Sequence, residues 1–306
     1  MMIMIRGLLA FIGYLANTLF WAPLVILFGL VKLLPIRPLQ RGCTHIIDGI
    51  ATRWIAINNC NQRWLSKTQL RVSELPELSP KQWYLMLANH QSWVDILVLQ
   101  RIFNRRIPMI KFFLKQELLY LPIIGLAWWA LDFPFMKRYS KTTLAKKPQL
   151  QGKDQLATQQ ACQKFQLKPV TIMNFVEGTR FTSFKQQQQH SPYPNLLVPK
   201  AGGIALAINA MNGKLQQLLD ITICYPNGIP SFWQYLSGQV PQIAVHIDLT
   251  PLAEIAQLNY QDPQQRMAMQ AWLNRLWQQK ANTLAQLHYI DSSTSPLPLA
   301  TQVKSS

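Results

Sequence analysis

A long uncharged run near the N-terminus most restricts how this chain can fold. Residues 7–34 contain one charged side chain, Lys32, so the run is long enough to cross the hydrocarbon core of a bilayer as a helix. A cleaved signal peptide fits less well because its apolar region would be much shorter. Only Arg6 precedes the run and basic residues follow it closely, so the positive-inside rule places the rest of the chain in the cytoplasm. Pro23 leaves open a bent hairpin that dips into one leaflet.

The segment after this run combines aromatic and basic side chains. Trp54 and Trp64 lie among arginines, a pattern typical of a helix at the level of the lipid headgroups. We therefore predict a membrane anchor over residues 1–40 and an interfacial helical connector over residues 41–80. An ordinary amphipathic packing helix would show the same pattern, so both alternatives stay open.

Charge is the most unusual feature of the composition. Thirty Lys and Arg against 13 Asp and Glu give a formal net charge of +17, which implies an anionic partner. A nucleic-acid binder would carry its basic residues on one face with interleaved aromatics, whereas here they are dispersed along the chain. We therefore predict an anionic membrane surface as a partner, and no nucleic acid. The Cys and His residues do not fall at metal-ligand spacing, so no metal site is expected.

One turn joins a predicted strand to a predicted helix. Residues 83–88 are apolar and indicate a buried strand, and a helical pattern begins just after Asp95. Five residues on a helix turn through about 140°, so His90 and Asp95 meet only if His90 lies on the turn, with Asn89 near the helix N-cap. Asp95 would then orient the imidazole, whose other nitrogen can take a proton from a hydroxyl. The alternative is a partly buried His and an Asp that only favours the helix dipole.

A second strand end carries basic residues. The apolar run 118–136 is broken by prolines, which favours a helix leading into a buried strand over a second membrane span. It ends at Lys137 and Arg138, and ligands of open α/β sheets bind at such strand ends. Residues 105–110 predict a further short strand.

A third strand, over residues 170–175, ends in Glu177-Gly178-Thr179-Arg180. The glycine would let the backbone approach a ligand, and the arginine supplies a planar fork that matches phosphate. An ordinary glycine turn with a surface ion pair is the alternative. Lys200 then opens a small-residue helix whose first N–H groups could face an anion.

The remaining sequence completes an α/β domain. Apolar segments at 220–226 and 242–247 predict two more strands, and helices are expected over 154–168 and 263–287. The Ser/Pro/Thr-rich tail, residues 291–306, is predicted to be disordered.

Together these turns resemble the motifs of a known family. His90-x4-Asp95, Phe135-x-x-Arg138, Glu177-Gly178-Thr179-Arg180 and a turn ending at Pro226 follow one another as in the 1-acylglycerol-3-phosphate O-acyltransferases, the PlsC-like lysophospholipid acyltransferases. The resemblance spans about residues 80–230, and residues 175–182 look closest to the YihG-like branch. The chain departs from the family pattern at Val176, where a proline usually precedes the glutamate, and at Cys224-Tyr225-Pro226, which replaces a Val-Pro-rich turn.

The resemblance implies a fold, a reaction and a set of site residues. The fold would be the α/β glycerolipid acyltransferase fold, a mixed central sheet flanked by helices behind an N-terminal membrane helix or hairpin, with the acyltransferase domain over residues 81–290. His90, oriented by Asp95, would deprotonate a hydroxyl of lysophosphatidic acid or a related lysophospholipid. That hydroxyl would attack the thioester of acyl-CoA or of acyl carrier protein, which are substrates, so no cofactor is implied. The phosphate-binding residues would be Arg138, Glu177, Gly178, Thr179 and Arg180. Among them Arg138 and Arg180 would bind the acceptor phosphate, Glu177 would orient Arg180 and the neighbouring backbone, and Gly178 would allow close approach. The additional contacts would be Asn89, Lys137 and Lys200.

The resemblance also implies a location. It places the protein in the inner membrane of a bacterium with the catalytic domain on the cytoplasmic side. Two other functions stay open: acyl transfer to a lipid acceptor that is not a glycerophosphate, and a non-enzymatic, membrane-anchored nucleic-acid binder.

Overall fold

A six-stranded sheet organises the described part of the chain. The computed structural model describes residues 1–136, 162, 165, 166, 168–258, 260 and 262–292. The strands are β1 Gln69–Val72, β2 Tyr84–Ala88, β3 Ile110–Phe112, β4 Leu114–Lys115, β5 Phe135–Met136, β6 Thr171–Asn174, β7 Gln217–Cys224 and β8 Gln242–Pro251. The helices are α1 Met2–Val31, α2 Arg37–Leu65, α3 Val94–Phe103, α4 Ile124–Ala130, α5 Ser183–Gln188, α6 Gly202–Met211, α7 Phe232–Leu236, α8 Ala253–Ala256 and α9 Pro263–Ser292, with a 3₁₀ helix at Gln116–Tyr120.

The strand directions bring three strand ends to one edge of the sheet. The order is β1-β8-β7-β2-β6-β3, and β4 and β5 form a separate two-stranded ladder. β2 runs parallel to both β6 and β7, whereas β8 is antiparallel to β7 and β1 runs with β8. The carboxyl ends of β2, β6 and β7 therefore meet at the same edge, which we call the catalytic edge.

The sheet is buried on both faces, as its apolar central strand requires. All five residues of β2 are buried, and they alternate between two cores. Leu85 and Leu87 pack with α6 and α9 on one face, and Tyr84 and Met86 pack with α3 on the other. The predicted fold class, a mixed central sheet flanked by helices behind an N-terminal apolar helix, is confirmed.

The N-terminal helices α1 and α2 form a hairpin that packs against the sheet domain. Its two helices are joined by polar contacts: the Asn17 amide donates to the Asn58 side-chain oxygen at 2.7 Å, and the Asn61 amide donates to the Ala10 carbonyl at 2.9 Å. α1 is long and apolar enough to cross a membrane. The helix continues through Pro23, so no turn interrupts the chain between Met2 and Val31.

Both ends of α1 contact the domain. Near its start, Gly7 lies against the ring of Trp233 in α7, and near its end Gly29 lies against Ala130 in α4. The apolar face that α1 leaves exposed runs between these two contacts. Its large exposed side chains include Leu8, Phe11, Ile12, Leu15, Leu19, Phe20, Leu27 and Leu30.

Two predicted boundaries are wrong. The segment predicted as a purely helical connector, residues 41–80, also contributes edge strand β1, which pairs with β8, so the sheet begins before residue 81. The predicted strand at 105–110 is a turn, because Arg105 adopts a left-handed φ of 68° and Pro108 has no N–H for a ladder; the strand is β3, Ile110–Phe112.

Several other predictions can be compared with the described residues. The apolar run 118–136 forms the end of the 3₁₀ helix, then α4 and β5, rather than a second long apolar helix. The two helices and two strands predicted after residue 200 are present as α6, β7, β8 and α9. Most of the helix predicted over 154–168, and the tail from 293 to 306, lie outside the described residues.

Candidate active site

The catalytic turn is attached to the sheet by a buried amide. Asn89 follows β2, and its side chain accepts from the N–H of Ile223 and donates to the carbonyl of the same residue, both at 2.8 Å. The turn is thereby fixed to the neighbouring strand β7. Asn89 is fully buried, and its amide is occupied by β7, so in this structure it holds the turn in place.

His90 and Asp95 form the predicted pair. His90 Nδ1 lies 2.8 Å from Asp95 Oδ2, and the same oxygen accepts from the backbone N–H groups of Gln91 at 2.7 Å and Ser92 at 2.9 Å. Because Asp95 Oδ2 already accepts from two amides, we assign it as the acceptor and His90 Nδ1–H as the donor of this contact. His90 Nε2 then has the free lone pair that a general base needs.

Tyr225 completes the shell around the buried carboxylate. Its hydroxyl donates to Asp95 Oδ1, the oxygen that does not contact His90. Burial, together with the neighbouring Asp95, raises the pKa of Tyr225 well above its ordinary value, so the phenol keeps its proton and acts as the donor. Both carboxylate oxygens are thus held by donors from two strand ends.

The imidazole is held between the turn and the end of β6. Its ring stacks on Phe175, with ring centroids 3.9 Å apart and planes 13° apart. The side chain is 14% exposed, and no described residue bonds to Nε2. Since His90 also lines a large cavity, this nitrogen is accessible to a ligand there.

The cavity has a volume of about 1010 Å³ and is lined mainly by apolar side chains. Its walls come from α1, α2, α3, α4 and the catalytic edge, and they include Tyr14, Trp54, Leu97, Trp128 and Phe133. A long, flexible apolar group fits such a lining.

One region of the cavity wall is charged. Asp48 and Lys168 line it and form an ion pair, and Lys111 lies 3.9 Å from the same aspartate. Burial lowers the pKa of Lys111 from 10.5 to about 8, although nearby Asp132 opposes the shift. The apolar lining is therefore bounded on this side by buried charge.

Glu177 supports the backbone of the catalytic turn. It is fully buried, and its two oxygens accept from the backbone N–H groups of His90 at 3.1 Å and Leu197 at 3.0 Å. Burial raises the pKa of its carboxyl group to about 8, while the two amides oppose the shift. Both of its oxygens are therefore occupied by backbone donors.

The other residues of this turn are open to solvent. Gly178 has a φ of 73°, which favours glycine, and this conformation turns the chain so that Arg180 reaches the ring of Trp93, 4.7 Å away. Thr179 accepts from Lys185 Nζ at 2.9 Å, and the same ammonium group donates to the Arg180 carbonyl. Two cations and a hydroxyl therefore lie beside the catalytic turn.

The other predicted site residues are Lys200, Lys137 and Arg138. Lys200 is exposed and does not line the cavity; its backbone N–H donates to the Val176 carbonyl at 2.9 Å and so supports the glutamate turn. Lys137 and Arg138 lie outside the described residues.

Sequence reasoning missed four side chains. Trp93 and Lys185 could have been noticed from their positions inside and just after the two motifs, and Phe175 from its place at a strand end. Tyr225 gave a clearer signal, because it lies where the chain departs from the family pattern. A mixed sheet with a His–Asp pair beside an apolar cavity defines the class: an α/β enzyme with room for an apolar group next to an accessible imidazole.

Comparison with known proteins narrows this class. The family model described as Acyltransferase matches residues 69–226, more than half of the chain, and the chain belongs to that family. It is similar to 1-acyl-sn-glycerol-3-phosphate acyltransferase 2 of Arabidopsis thaliana, with 28% identity over 258 residues covering 79% of this chain and 62% of that protein. It is also similar to the epsilon form of Mus musculus, with 23% identity covering 68% of this chain and 59% of that protein. The chain thus spans less than two thirds of the length of these relatives.

A solved structure agrees with the fold. The crystal structure of the 1-acyl-sn-glycerophosphate acyltransferase PlsC from Thermotoga maritima is similar to this chain with a TM-score of 0.52. The match covers 93% of this chain and 98% of that one at 16% identity. The PlsC-like resemblance is therefore confirmed, while the YihG-like branch stays a prediction.

Proposed function

We propose that this protein transfers a fatty acyl group from a thioester donor, acyl-CoA or acyl carrier protein, to a hydroxyl of lysophosphatidic acid or a related lysophospholipid. The observation that carries the proposal is the 2.8 Å contact between His90 Nδ1 and a fully buried Asp95, with the imidazole on the wall of an apolar cavity. The names of the curated relatives support the same acceptor class.

The reaction needs one proton transfer in each direction. His90 Nε2 takes the proton of the acceptor hydroxyl as its oxygen attacks the thioester carbonyl carbon. The tetrahedral intermediate collapses, the carbon–sulfur bond breaks, and the imidazolium returns the proton to the leaving thiolate. Asp95 stabilises the imidazolium between these steps because its carboxylate lies against Nδ1.

The two substrates require different surroundings. The apolar cavity offers room for an acyl chain, and the exposed turn of Gly178, Thr179 and Arg180 offers cations to a phosphate. Arg180 is held over the ring of Trp93, which limits the positions its guanidinium adopts, and Lys185 places a second charge beside it. Orientation of the phosphate by these groups would bring the acceptor hydroxyl to His90.

We propose a membrane arrangement that follows from the contacts of α1. A helix whose two ends both touch one domain cannot leave one end on the far side of a bilayer. α1 would therefore lie within one leaflet, with its exposed apolar side chains among the acyl chains, which brings the cavity to the lipid substrates. The net charge of +17 supports contact with an anionic surface, and we keep the prediction of a cytoplasmic catalytic domain at a bacterial inner membrane.

An acyl-transfer assay tests the reaction. Purified protein in detergent is given radiolabelled acyl-CoA or acyl carrier protein with a panel of lysophospholipids and one lyso-lipid without phosphate. We expect labelled diacyl product with lysophosphatidic acid and a loss of about 10³-fold or more in His90→Ala, the upper range for acid–base catalysis. Wild-type-like transfer by His90→Ala would contradict the mechanism, and product formed only from the phosphate-free lipid would contradict the acceptor class.

Labelling of single introduced cysteines tests the membrane arrangement. In a variant freed of its four native cysteines, a cysteine is placed at the first residue of α1, Met2, or after the helix, at Ile36. With an impermeant maleimide on intact spheroplasts, neither position should react until the membrane is opened. Reaction at one of the two from outside would indicate a spanning helix.

A further inference from the structure

The end of β7 adds a buried hydroxyl to the catalytic pair. Asp95 is fully buried, and each of its oxygens has its own set of donors. Oδ2 faces His90 and two backbone amides, whereas the side-chain donor to Oδ1 is the hydroxyl of Tyr225. The tyrosine is itself 2% exposed, so water does not compete for this bond.

We propose that Tyr225 is a positioning residue that sets the angle of the Asp95 carboxylate and takes up part of its negative charge, and so adjusts how strongly His90 holds a proton. The proposal rests on the proposed acyl transfer for its kinetic consequence, but the contact it describes exists without substrate. A carboxylate can rotate about its last bond, and a donor on Oδ1 fixes the rotation that keeps Oδ2 on Nδ1.

Among the described residues, few ionisable groups lie near the hydrogen bond between Tyr225 and Asp95. The ionisable groups that interact with Asp95 or Tyr225 are Glu177 after β6, Tyr235 on α7 and the Cys224 thiol on β7. Arg101 on α3 interacts with Tyr235, and Arg180 lies over the ring of Trp93. The contact between the Tyr225 hydroxyl and Asp95 Oδ1 can be eliminated by removal of a single oxygen atom.

Tyr225→Phe removes that oxygen and keeps the buried ring. Without the hydroxyl, the carboxylate charge is no longer shared, so the imidazole experiences more of it and retains its proton to higher pH. We expect the acidic limb of the kcat/KM profile to move up by about half to one pH unit, since the change replaces one hydrogen bond to a charged group. We also expect kcat at the optimum to fall about ten-fold, because the carboxylate is less firmly oriented.

Tyr84→Phe is the matched control. Tyr84 is fully buried in the same core, and its hydroxyl accepts from the Ser79 N–H at 2.9 Å and contacts Gln82 Oε1 at 2.9 Å. It lies at the start of β2, at the opposite edge of the sheet from His90. This variant loses a buried hydroxyl of the same kind and should keep the wild-type pH profile.

A second readout does not depend on acyl transfer. Modification of the His90 peptide by diethyl pyrocarbonate, followed by mass spectrometry from pH 5 to 9, measures the pH at which the imidazole loses its proton. We expect the half-modification pH of full-length Tyr225→Phe to lie above that of wild type and of Tyr84→Phe by the same half to one unit. Equal midpoints in all three proteins would overturn the proposal, whether or not the wild type transfers an acyl group. A shift without detectable transfer by the wild type would support the contact and reject the proposed function.

Discussion

Two buried aspartates in this protein each face a nitrogen-bearing side chain, but only one pair lies at a site. Asp95 faces His90 across 2.8 Å, and Asp220 faces Lys280 across 2.8 Å. The lysine is completely buried, and its ammonium group also donates to the Ile221 carbonyl at 2.7 Å. All of its donors point inward, between β7 and α9.

The two pairs differ in whether the nitrogen-bearing side chain has an atom that reaches the cavity. The imidazole uses Nδ1 for the aspartate and keeps Nε2 for the cavity, whereas the lysine has no exposed atom. Burial of the aspartate and a 2.8 Å contact with a side-chain nitrogen are therefore common to the structural pair and to the pair proposed as catalytic. A second functional atom that reaches the cavity distinguishes the catalytic pair.

The largest effect on activity should follow from removing the charge of Asp95. Asp95→Asn keeps the shape but removes the carboxylate that stabilises the imidazolium, so we expect kcat to fall about 10³-fold. Acyl transfer in detergent measures it, with the unfolding temperature as a check on folding. Loss of less than about five-fold would mean that His90 acts without Asp95.

The matching change in the second pair should affect stability instead. Lys280→Met leaves a buried carboxylate without its partner, so we expect about 3–5 kcal/mol less free energy of unfolding. Asp220→Asn combined with Lys280→Met should recover much of this, because no uncompensated charge is left. Chemical unfolding followed by fluorescence measures both variants. If kcat per folded molecule of Lys280→Met fell as far as that of Asp95→Asn, the two pairs could not be distinguished as structural and catalytic.

A smaller effect is expected at the phosphate side of the site. Arg180→Ala should reduce kcat/KM for lysophosphatidic acid about 100-fold, because a charge-assisted contact and the orientation it gives are both lost. A lyso-lipid acceptor without phosphate serves as the control substrate and should be affected much less. Equal loss on both acceptors would show that Arg180 does not bind phosphate.

The smallest effect concerns the pH dependence of stability. The pKa of Glu177 is raised by burial from 4.5 to about 8, so the folded state binds its proton more tightly than the unfolded state. The stability from this group is therefore fully present below about pH 4.5 and is lost as pH rises through about 8. In Glu177→Gln the decrease in the free energy of unfolding between pH 5 and pH 8.5 should be smaller, because the amide does not titrate. The variant also has only one side-chain oxygen to accept from the two backbone N–H groups. Thermal unfolding at pH 5 and pH 8.5 measures it; identical slopes in both proteins would contradict the raised pKa.

Much of this fold could be predicted because the signals are local. The uncharged run forms α1, the apolar segment before Asn89 forms β2, and the spacing of His90 and Asp95 required the strand-to-helix turn that is observed. Strand β1 was missed because four residues of alternating exposure give almost no periodic signal, and its assignment depends on pairing with β8.

The roles within the site were harder to predict than its location. Glu177 was predicted as part of the phosphate-binding motif, where it would orient Arg180 and neighbouring backbone. Its oxygens accept from the His90 and Leu197 amides, which lie 87 and 20 residues away along the chain. The partner of Asp95 Oδ1 is 130 residues away at Tyr225. Such contacts depend on which strand ends become neighbours, and residue spacing does not reveal that.

The sequence by itself determined the residue types, the turn that carries them and the long apolar helix, because helix period, strand period and charge act over a few residues. The tertiary structure alone decided which groups share the buried carboxylate, where the cavity lies, and that both ends of α1 return to the same domain. These features depend on parallel strands from distant segments ending at one edge, where burial changes the chemistry of every group brought there.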